Sequence, residues 1–576
     1  MFDRLKDRNR IQNPRQLAKE AWAHAIDDFY HPPLPEPVIE EKRDASSYFY
    51  IDPANWTVHV NLKGVPPSLK AEAVMSFLRS ICHHEIQHYL LCPYDGVTNG
   101  MMFAKARKHV DDANAMFACN LFADLVVDSE LMNRFPAITK NRIIESIRHS
   151  STVRRSNSNL WQLIVGCYHR HWGLEFPKGV SLDKNTASAA KEITSIAEKY
   201  MKTEKHWPTA AGEIARILAD WSDESDKDLL ESGEDSSAQE NGSSGSSARR
   251  VSIPSDVDVM MGSPIEIRNR DRMKKCVDEN QSESEETKMG GLAKRVVERG
   301  GDLDDLEAVY FLAGKDLSKS NWIRFWYRAA VHGMLRIDVK SKSNQGTVPL
   351  NPFIWRIGDP VEELDIVQSL QAFPVLIPNM STRRWLRTEV SGSGAPASLP
   401  NLLVVLDSSG SMHWSIDRGM PKGPFHIALL SAFAAIDFAF KKSKKVAAIN
   451  FSESVKSSSL TRERARIENI LTSYQGGSTI APVEEIRNIC RSSEGNLLVI
   501  MMTDAEIANW DGLLKTIKRI CSNGHRFFLF HIRSSRYSSD DLDAELSEAG
   551  AQVIPLDSAE DLFGLVVRET KRIYAS

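Results

Sequence analysis

The chain has 576 residues, 42% hydrophobic and 26% charged, with 72 Lys+Arg against 76 Asp+Glu. This is ordinary content for a soluble globular protein but too long for one core, so roughly three domains of about 150 residues each are expected. A formal charge of −4 leaves no broad electrostatic basis for nucleic-acid binding.

The first segment, MFDRLKDRNRIQNPRQL, carries charge where a signal peptide needs an apolar core, and no uninterrupted apolar run reads as long enough to cross a bilayer. The expectation is a cytoplasmic protein with no membrane contact. Seven scattered cysteines with no CxxC pair read as reduced thiols, mostly buried.

Residues 1–220 are dense in Trp, Leu, Ile and Phe and read as one mainly helical domain. Within SLKAEAVMSFLRSICHHEIQHYLLC, apolar residues recur at helical spacing after Pro66-Pro67. His84-Glu85-Ile86-Gln87-His88 lies inside it. Spacing of i and i+4 puts His84 and His88 on one face, close enough to share Zn²⁺, with Glu85 placed to take a proton from a bound water. Zinc lowers the pKa of such a water towards about 7 and polarises carbonyls, the basis of metal-assisted hydrolysis.

A third ligand is needed. In CNLFADLVVDSEL, Asn120, Asp124 and Asp128 recur every four residues and share a helical face. Two histidines on a surface helix are by themselves ordinary polar positions; the matched carboxylates on the next helix set this pair apart. His83 has no assigned role, and Cys92 to Asp95 (CPYD) reads as a turn.

These two helices resemble those of thermolysin-like (gluzincin) peptidases, in which a downstream helix supplies an acidic ligand and a carboxylate four residues later supports a zinc-bound histidine. The resemblance implies Asp124 as ligand, Asp128 as the supporting carboxylate and Glu85 as general base. Asp replaces the family's Glu and has a shorter reach, so Asp128 or Glu130 stays open as the ligand.

Residues 221–300 include SDESDKDLLESGEDSSAQENGSSGSSARR and read as an acidic, Ser/Gly-rich disordered linker in which short helices could form. Residues 301–398 regain aromatic density, with Pro349, Pro352, Pro360, Pro374 and Pro378 cutting the segments short, and read as an accessory region of helices and strands.

From 399 to 576 the pattern becomes LLVVL, PFHIALLSAFAAIDFAFKK, VAAINF, NLLVIMM, FFLFHI and QVIPL. Short apolar runs between helices are what strands buried on both faces require, so an α/β fold with a doubly wound, mainly parallel sheet is expected. Polar clusters stand at the strand ends: Asp407, Ser409 and Ser411 in DSSGSM, Thr479 in YQGGST, and Asp504 after NLLVIMM-Thr503. One carboxylate with alternate hydroxyls, closed by Thr479 and Asp504, supplies the hard oxygens that Mg²⁺ takes in octahedral geometry. A carboxylate from a partner suits the remaining position. The bland alternative is a loop with this shape and no ion, or Asp407 as a helix cap.

The set DxSxS, then Thr, then Asp resembles the von Willebrand A family and its metal-ion-dependent adhesion site, which places these residues on the same strand ends. Ala505-Glu506 departs from the Gly common in that family and puts the third loop's geometry in doubt. The order of parts is similar to prokaryotic proteins that join an HExxH metallopeptidase domain with an N-x-x-A-D helix, here Asn120 to Asp124, to a C-terminal von Willebrand A domain. That resemblance implies a MoxR-type AAA+ ATPase as partner; the chain itself has no GxxxxGK[ST] nucleotide loop. Two functions follow: a zinc-dependent peptidase whose C-terminal domain recruits a substrate or an ATPase, or a non-catalytic adaptor that grips an acidic residue of its partner through Mg²⁺.

Overall fold

The computed structural model describes residues 13–42, 48–52, 57–151, 158–175, 181–231, 285–312, 319–341, 349–387 except 358, 360, 362 and 363, 399–417, 419–532, 540–556 and 560–574. The chain falls into two compact units, Met1–Ala329 with Ile416–Pro421, and Ala330–Ser415 with Lys422–Ser576.

The first unit is mainly helical. Helix α1 (Pro14–Asp28) starts where Asn13 accepts from the Arg15 amide and a proline takes the first turn. A small sheet follows, β1 (Val38–Glu40), β2 (Phe49–Asp52) and β3 (Thr57–Asn61), with β3 in the middle. Then come α2 (Ala71–Leu90), α3 (Gly96–Ala106), α4 (Asp112–Arg134), α5 (Pro136–Ser150), α6 (Asn159–Trp172), α7 (Lys184–Tyr200) and α8 (Trp207–Glu231). Asp95, Asp111, Ser158 and Asp183 each cap the helix that follows by accepting from an amide three residues on. Between α1, α2, α4, α6 and α8 lies one core, with Trp22, Phe77, Ile86, Phe122, Trp161 and Trp207 buried in it.

Of the stretch read as linker, residues 232–284 lie outside the described residues. Helices occupy both its ends: α8 runs on to Glu231, and α9 spans Glu285–Glu298. The composition around 285 is polar, yet Met289, Leu292, Ala293 and Val296 fall on one helical stripe and are buried. The next helix, α10 (Leu303–Leu312), receives that stripe, and the Tyr310 hydroxyl donates to the Met289 carbonyl at 2.8 Å. Arg299 between them makes a bidentate pair with Asp95, at 3.0 and 2.7 Å. Helix α11 (Lys319–Ser341) follows.

In the second unit, β4 (Pro349–Ile354), β5 (Leu364–Asp365) and β6 (Arg383–Arg387) make an antiparallel sheet with the short α12 (Ile366–Ala372). Along the chain follow β7 (Asn401–Asp407), the paired strands β8 (Ser415–Asp417) and β9 (Met420–Lys422), most of whose residues belong to the first unit, and then α13 (Pro424–Lys441), β10 (Val446–Phe451), β11 (Val455–Ser457), α14 (Arg464–Leu471) and α15 (Val483–Arg491) of the C-terminal α/β domain. It continues with β12 (Leu497–Thr503), α16 (Trp510–Ser522), β13 (Arg526–Ile532), α17 (Asp540–Glu548), β14 (Gln552–Leu556) and α18 (Glu560–Tyr574). Its six-stranded sheet has the order β11-β10-β7-β12-β13-β14, parallel throughout except for the edge strand β11. This is the doubly wound arrangement, and its direction of winding reverses between β7 and β12.

Strands β7, β10 and β12 are buried almost end to end, as their unbroken apolar runs require. Ile486, Leu513, Ile517 and Leu546 of α15, α16 and α17 cover one face of the sheet. Helix α13 is long and apolar enough to cross a membrane by length and composition alone, although His426 and Asp437 interrupt its apolar run. It is apolar on most sides because it is a core helix, packed against β7 and between α14 and α18.

Candidate functional site

The last two turns of α2 lie in the core of the helical unit, with every side chain from Ile81 to His88 buried. Helix α4 crosses α2 there and places Asp124 and Asp128, one turn apart, against His84 and His88. His84 Nε2 and His88 Nε2 are 3.1 Å apart, and they stand 3.5 and 3.3 Å from Asp124 Oδ1. Three potential ligand atoms thus point at one spot, and they form a zinc-type metal-binding triad. Asp124 Oδ1 has no hydrogen-bond donor although it is buried, and neither has Glu85 Oε2 next to the triad. Such orphans are expensive without a partner, and a cation at the centre supplies one.

The outer nitrogens of both imidazoles are held. His84 Nδ1 lies 2.8 Å from Asp128 Oδ1, and His88 Nδ1 lies 2.7 Å from the Cys92 carbonyl. Each contact fixes the ring and leaves Nε2 facing the centre. The same Asp128 oxygen accepts from Arg142 Nη2 of α5. Burial alone would raise the Asp128 carboxyl, but Arg142 and His84 outweigh it and hold the group well below the usual carboxylate range. Burial likewise opposes protonation of His84, yet the Asp128 carboxylate beside it lifts the imidazole to about 10 in the metal-free protein. Glu85 is pushed up from the ordinary carboxyl value, chiefly by burial. A cavity lined by His84, Asp124, Asp128, Arg142, Ile143, Ser146 and Tyr168 opens beside the triad.

Asp124, the shorter-reaching carboxylate, therefore sits with the two histidines, while Asp128 contacts His84 from behind and Glu130 is outside the cluster. Arg142 and Tyr168 escaped the sequence reading because they come from α5 and α6, and no spacing ties either to HExxH. His83 faces away from the triad: its Nε2 lies 2.7 Å from Asp28 Oδ2, and Arg79 holds that same carboxylate. The CPYD tetrad makes a turn with a cis Cys92-Pro93 bond and caps α3 through Asp95.

At the carboxyl end of the parallel sheet, Asp407 closes β7 and Thr503 closes β12, on either side of the winding reversal. Asp407 Oδ1 accepts from the Ser409 amide at 2.9 Å, Oδ2 accepts from the Thr503 hydroxyl at 2.5 Å, and the Ser409 and Ser411 hydroxyls are 3.1 Å apart. The Gly410 amide donates to the Gly477 carbonyl at 2.8 Å, which ties this loop to the one that carries Thr479. The Ala508 amide donates to the Thr479 carbonyl at 2.9 Å, which ties in the Asp504 loop. Asp407 is pushed up to about 6 by burial, with the nearby Asp504 charge adding to the rise. Asp407, Ser409, Thr479 and Asp504 are buried, whereas Ser411 is exposed at the rim.

Ala505, in the pair that departs from the resembled family's glycine, has φ of +61°. The loop keeps the left-handed turn that glycine adopts freely, with an L side chain paying the steric penalty. The contact of Thr503 with Asp407 is not written in the spacing of the oxygen-rich loops; a hydroxyl at the very end of an apolar strand is its one signal.

No protein-family model matches the chain, and a comparison with curated proteins finds no match. Among solved structures, it is similar to an aerotolerance-related membrane protein from Bacteroides fragilis with multiple mutations to serines, at 16% identity and a TM-score of 0.24, over 30% of this chain and 99% of that one. It is also similar to an uncharacterized membrane-spanning protein from Vibrio fischeri, at 16% identity and a TM-score of 0.13, over 29% of this chain and 94% of that one.

Proposed function

We propose that the helical unit is a zinc-dependent peptidase and that the C-terminal α/β domain is a von Willebrand A-type domain that recruits a protein partner through Mg²⁺. The observation that carries the first half is the convergence of His84 Nε2, His88 Nε2 and the donor-less Asp124 Oδ1. Zinc held there would supply a Lewis acid and an acidified water. His84, His88 and Asp124 would hold the metal, with Asp128 and the Cys92 carbonyl orienting the two rings. Glu85, raised by burial and without a hydrogen-bond partner on Oε2, is suited to accept a proton and return it to a leaving amine. Arg142 keeps Asp128 ionised, which preserves its contact with His84.

Glu85→Gln is the decisive substitution. It should leave about one zinc per chain and lower the turnover of a peptide library by 10²-fold or more; full turnover in that variant defeats the assignment. A second reading has its own support. His84, Glu85, His88 and Asp124 are each 4% exposed or less, which suits a structural metal in a non-catalytic adaptor. Zinc bound stoichiometrically, with no cleavage of any library member, would select it.

For the C-terminal domain, two neighbouring carboxylates and three hydroxyls on linked loops support a hard-cation site. Burial, with a smaller contribution from the Asp504 charge, disfavours the charged form of Asp407, and a bound cation would offset both. Asp407, Ser409, Ser411, Thr479 and Asp504 would hold Mg²⁺, leaving a position for a partner's carboxylate, and a MoxR-type AAA+ ATPase is the partner we propose. The described cysteines are all free and five of the six are buried, which supports work in a reducing compartment, the cytoplasm. Asp407→Ala should abolish Mg²⁺-dependent capture of that ATPase; equal capture in chelator and in Mg²⁺ by the unaltered chain would remove this role.

A further inference from the structure

Asn450 is a buried polar side chain outside both ligand sets, and its amide is fully engaged. It is the penultimate residue of β10, opposite Leu406 in the parallel register with β7, and is 0% exposed. Its Oδ1 accepts from the Ser408 hydroxyl at 2.5 Å and from Gln475 Nε2 at 2.9 Å. Its Nδ2 faces the carbonyls of Ile470, Leu471 and Ser473 at 3.1, 3.1 and 3.0 Å. Gln475 Nε2 also donates to the Asn450 carbonyl at 3.1 Å.

These partners belong to two different loops. Ser408 stands between Asp407 and Ser409, whereas 470–475 is the end of α14 and the turn that leads to Thr479. Only a side chain with donors on one end and an acceptor on the other can serve both. Aspartate has no donor for the three carbonyls, and an apolar residue would strand them in a buried site. Backbone bonds continue the link, from the Gly476 amide to the Ser408 carbonyl at 2.8 Å and from the Ser408 amide to the Phe451 carbonyl at 2.8 Å.

We infer that Asn450 is a positioning residue that sets the separation of the Asp407–Ser411 loop from the Thr479 loop, and so tunes the affinity of that site for Mg²⁺. The inference rests on the Mg²⁺ reading above. A ligand set spread over separate loops binds only as well as its scaffold keeps the oxygens in place, and loss of such outer support typically lowers metal affinity about 10–100-fold.

The test is calorimetric titration of the full chain with MgCl₂ alone, for the unaltered protein, Asn450→Ala, Ser408→Ala and Asp407→Ala, with urea unfolding in chelator alongside. Asn450→Ala should weaken Mg²⁺ binding about 10–100-fold, Ser408→Ala should weaken it less but measurably, and Asp407→Ala should abolish it. Affinity on the folded chain is the readout that a purely structural residue would not move. Should Asn450→Ala fail to fold, Ser408→Ala decides, since it removes one hydroxyl of the same link. Unaltered affinity in the folded variants, with the parent binding Mg²⁺, overturns the positioning role alone. A parent chain that takes up no Mg²⁺ overturns the site reading and this inference together.

Discussion

A left-handed alanine, a half-buried histidine and a carboxylate behind a metal ligand show how much hangs on single side chains. Ala505 sits at φ +61° in the Asp504 loop. Relieving that conformation with Ala505→Gly should stabilise the C-terminal domain by about 1 kcal/mol, read as a higher urea midpoint. His426 of α13 is pushed down to about 4 by burial, so between its ordinary value near 6.5 and about 4 the unfolded chain binds the extra proton. Stability is therefore lost as pH falls through that window and is unaffected above it. His426→Gln should flatten the dependence of the unfolding midpoint between pH 7 and 4; an unchanged slope would assign the loss to other groups. Asp128→Ala removes the carboxylate behind His84 and should lower zinc affinity about 10–100-fold, measured by competition with a chromogenic chelator. Among these residues Asp128 was legible from its i+4 relation to Asp124, and Ala505 from its departure from glycine. The displaced pKa of His426 was not, because burial of one residue on an apolar helix depends on what packs over it.

Helices α2 and α4 bring the metal triad together because both are long, well packed and cross at their ligand-bearing turns. The matched i and i+4 pairs, His84/His88 and Asp124/Asp128, survive intact from sequence to structure since an α-helix holds that spacing rigidly. Arg142 is the opposite case. It arrives on α5, fourteen residues beyond its partner, and is 6% exposed with one guanidinium nitrogen donating to Asp128. Arg142→Ala leaves a buried carboxylate without its cation and should destabilise the helical unit by about 3 kcal/mol, seen in urea unfolding; a shift below measurement error would mean the site relaxes around the loss. Helix α9 carries a related lesson. Its polar surroundings mark it as linker by composition, while four apolar residues on one stripe gave it a face that α10 covers. Composition averages over all sides of a helix, and burial needs only one.

For the molecule as a whole, the zinc-type triad of one compact unit and the Mg²⁺ site proposed for the other predict that stability responds to two metals separately. A ligand that binds only the folded state stabilises it by about 2.7 kcal/mol at a concentration one hundred times its dissociation constant. Zinc-selective chelation should therefore lower the unfolding midpoint of the helical unit and leave that of the α/β domain in place, with Mg²⁺ depletion doing the reverse. Differential scanning calorimetry resolves the two, and one shared response to either chelator would contradict separate centres. What the amino-acid order determined by itself was local and periodic: the HExxH pair, the carboxylates one turn apart, the apolar runs of the parallel sheet and the oxygen-rich loops at their ends. Each is written within a few residues, where backbone geometry converts spacing into direction. The tertiary structure alone decided which of the candidate carboxylates faces the histidines, how deeply the triad is covered, and that Arg142, Tyr168 and Asn450 stand where they do. Those contacts join residues far apart in the chain, and they are selected by how whole helices and strands pack rather than by any pattern along the sequence.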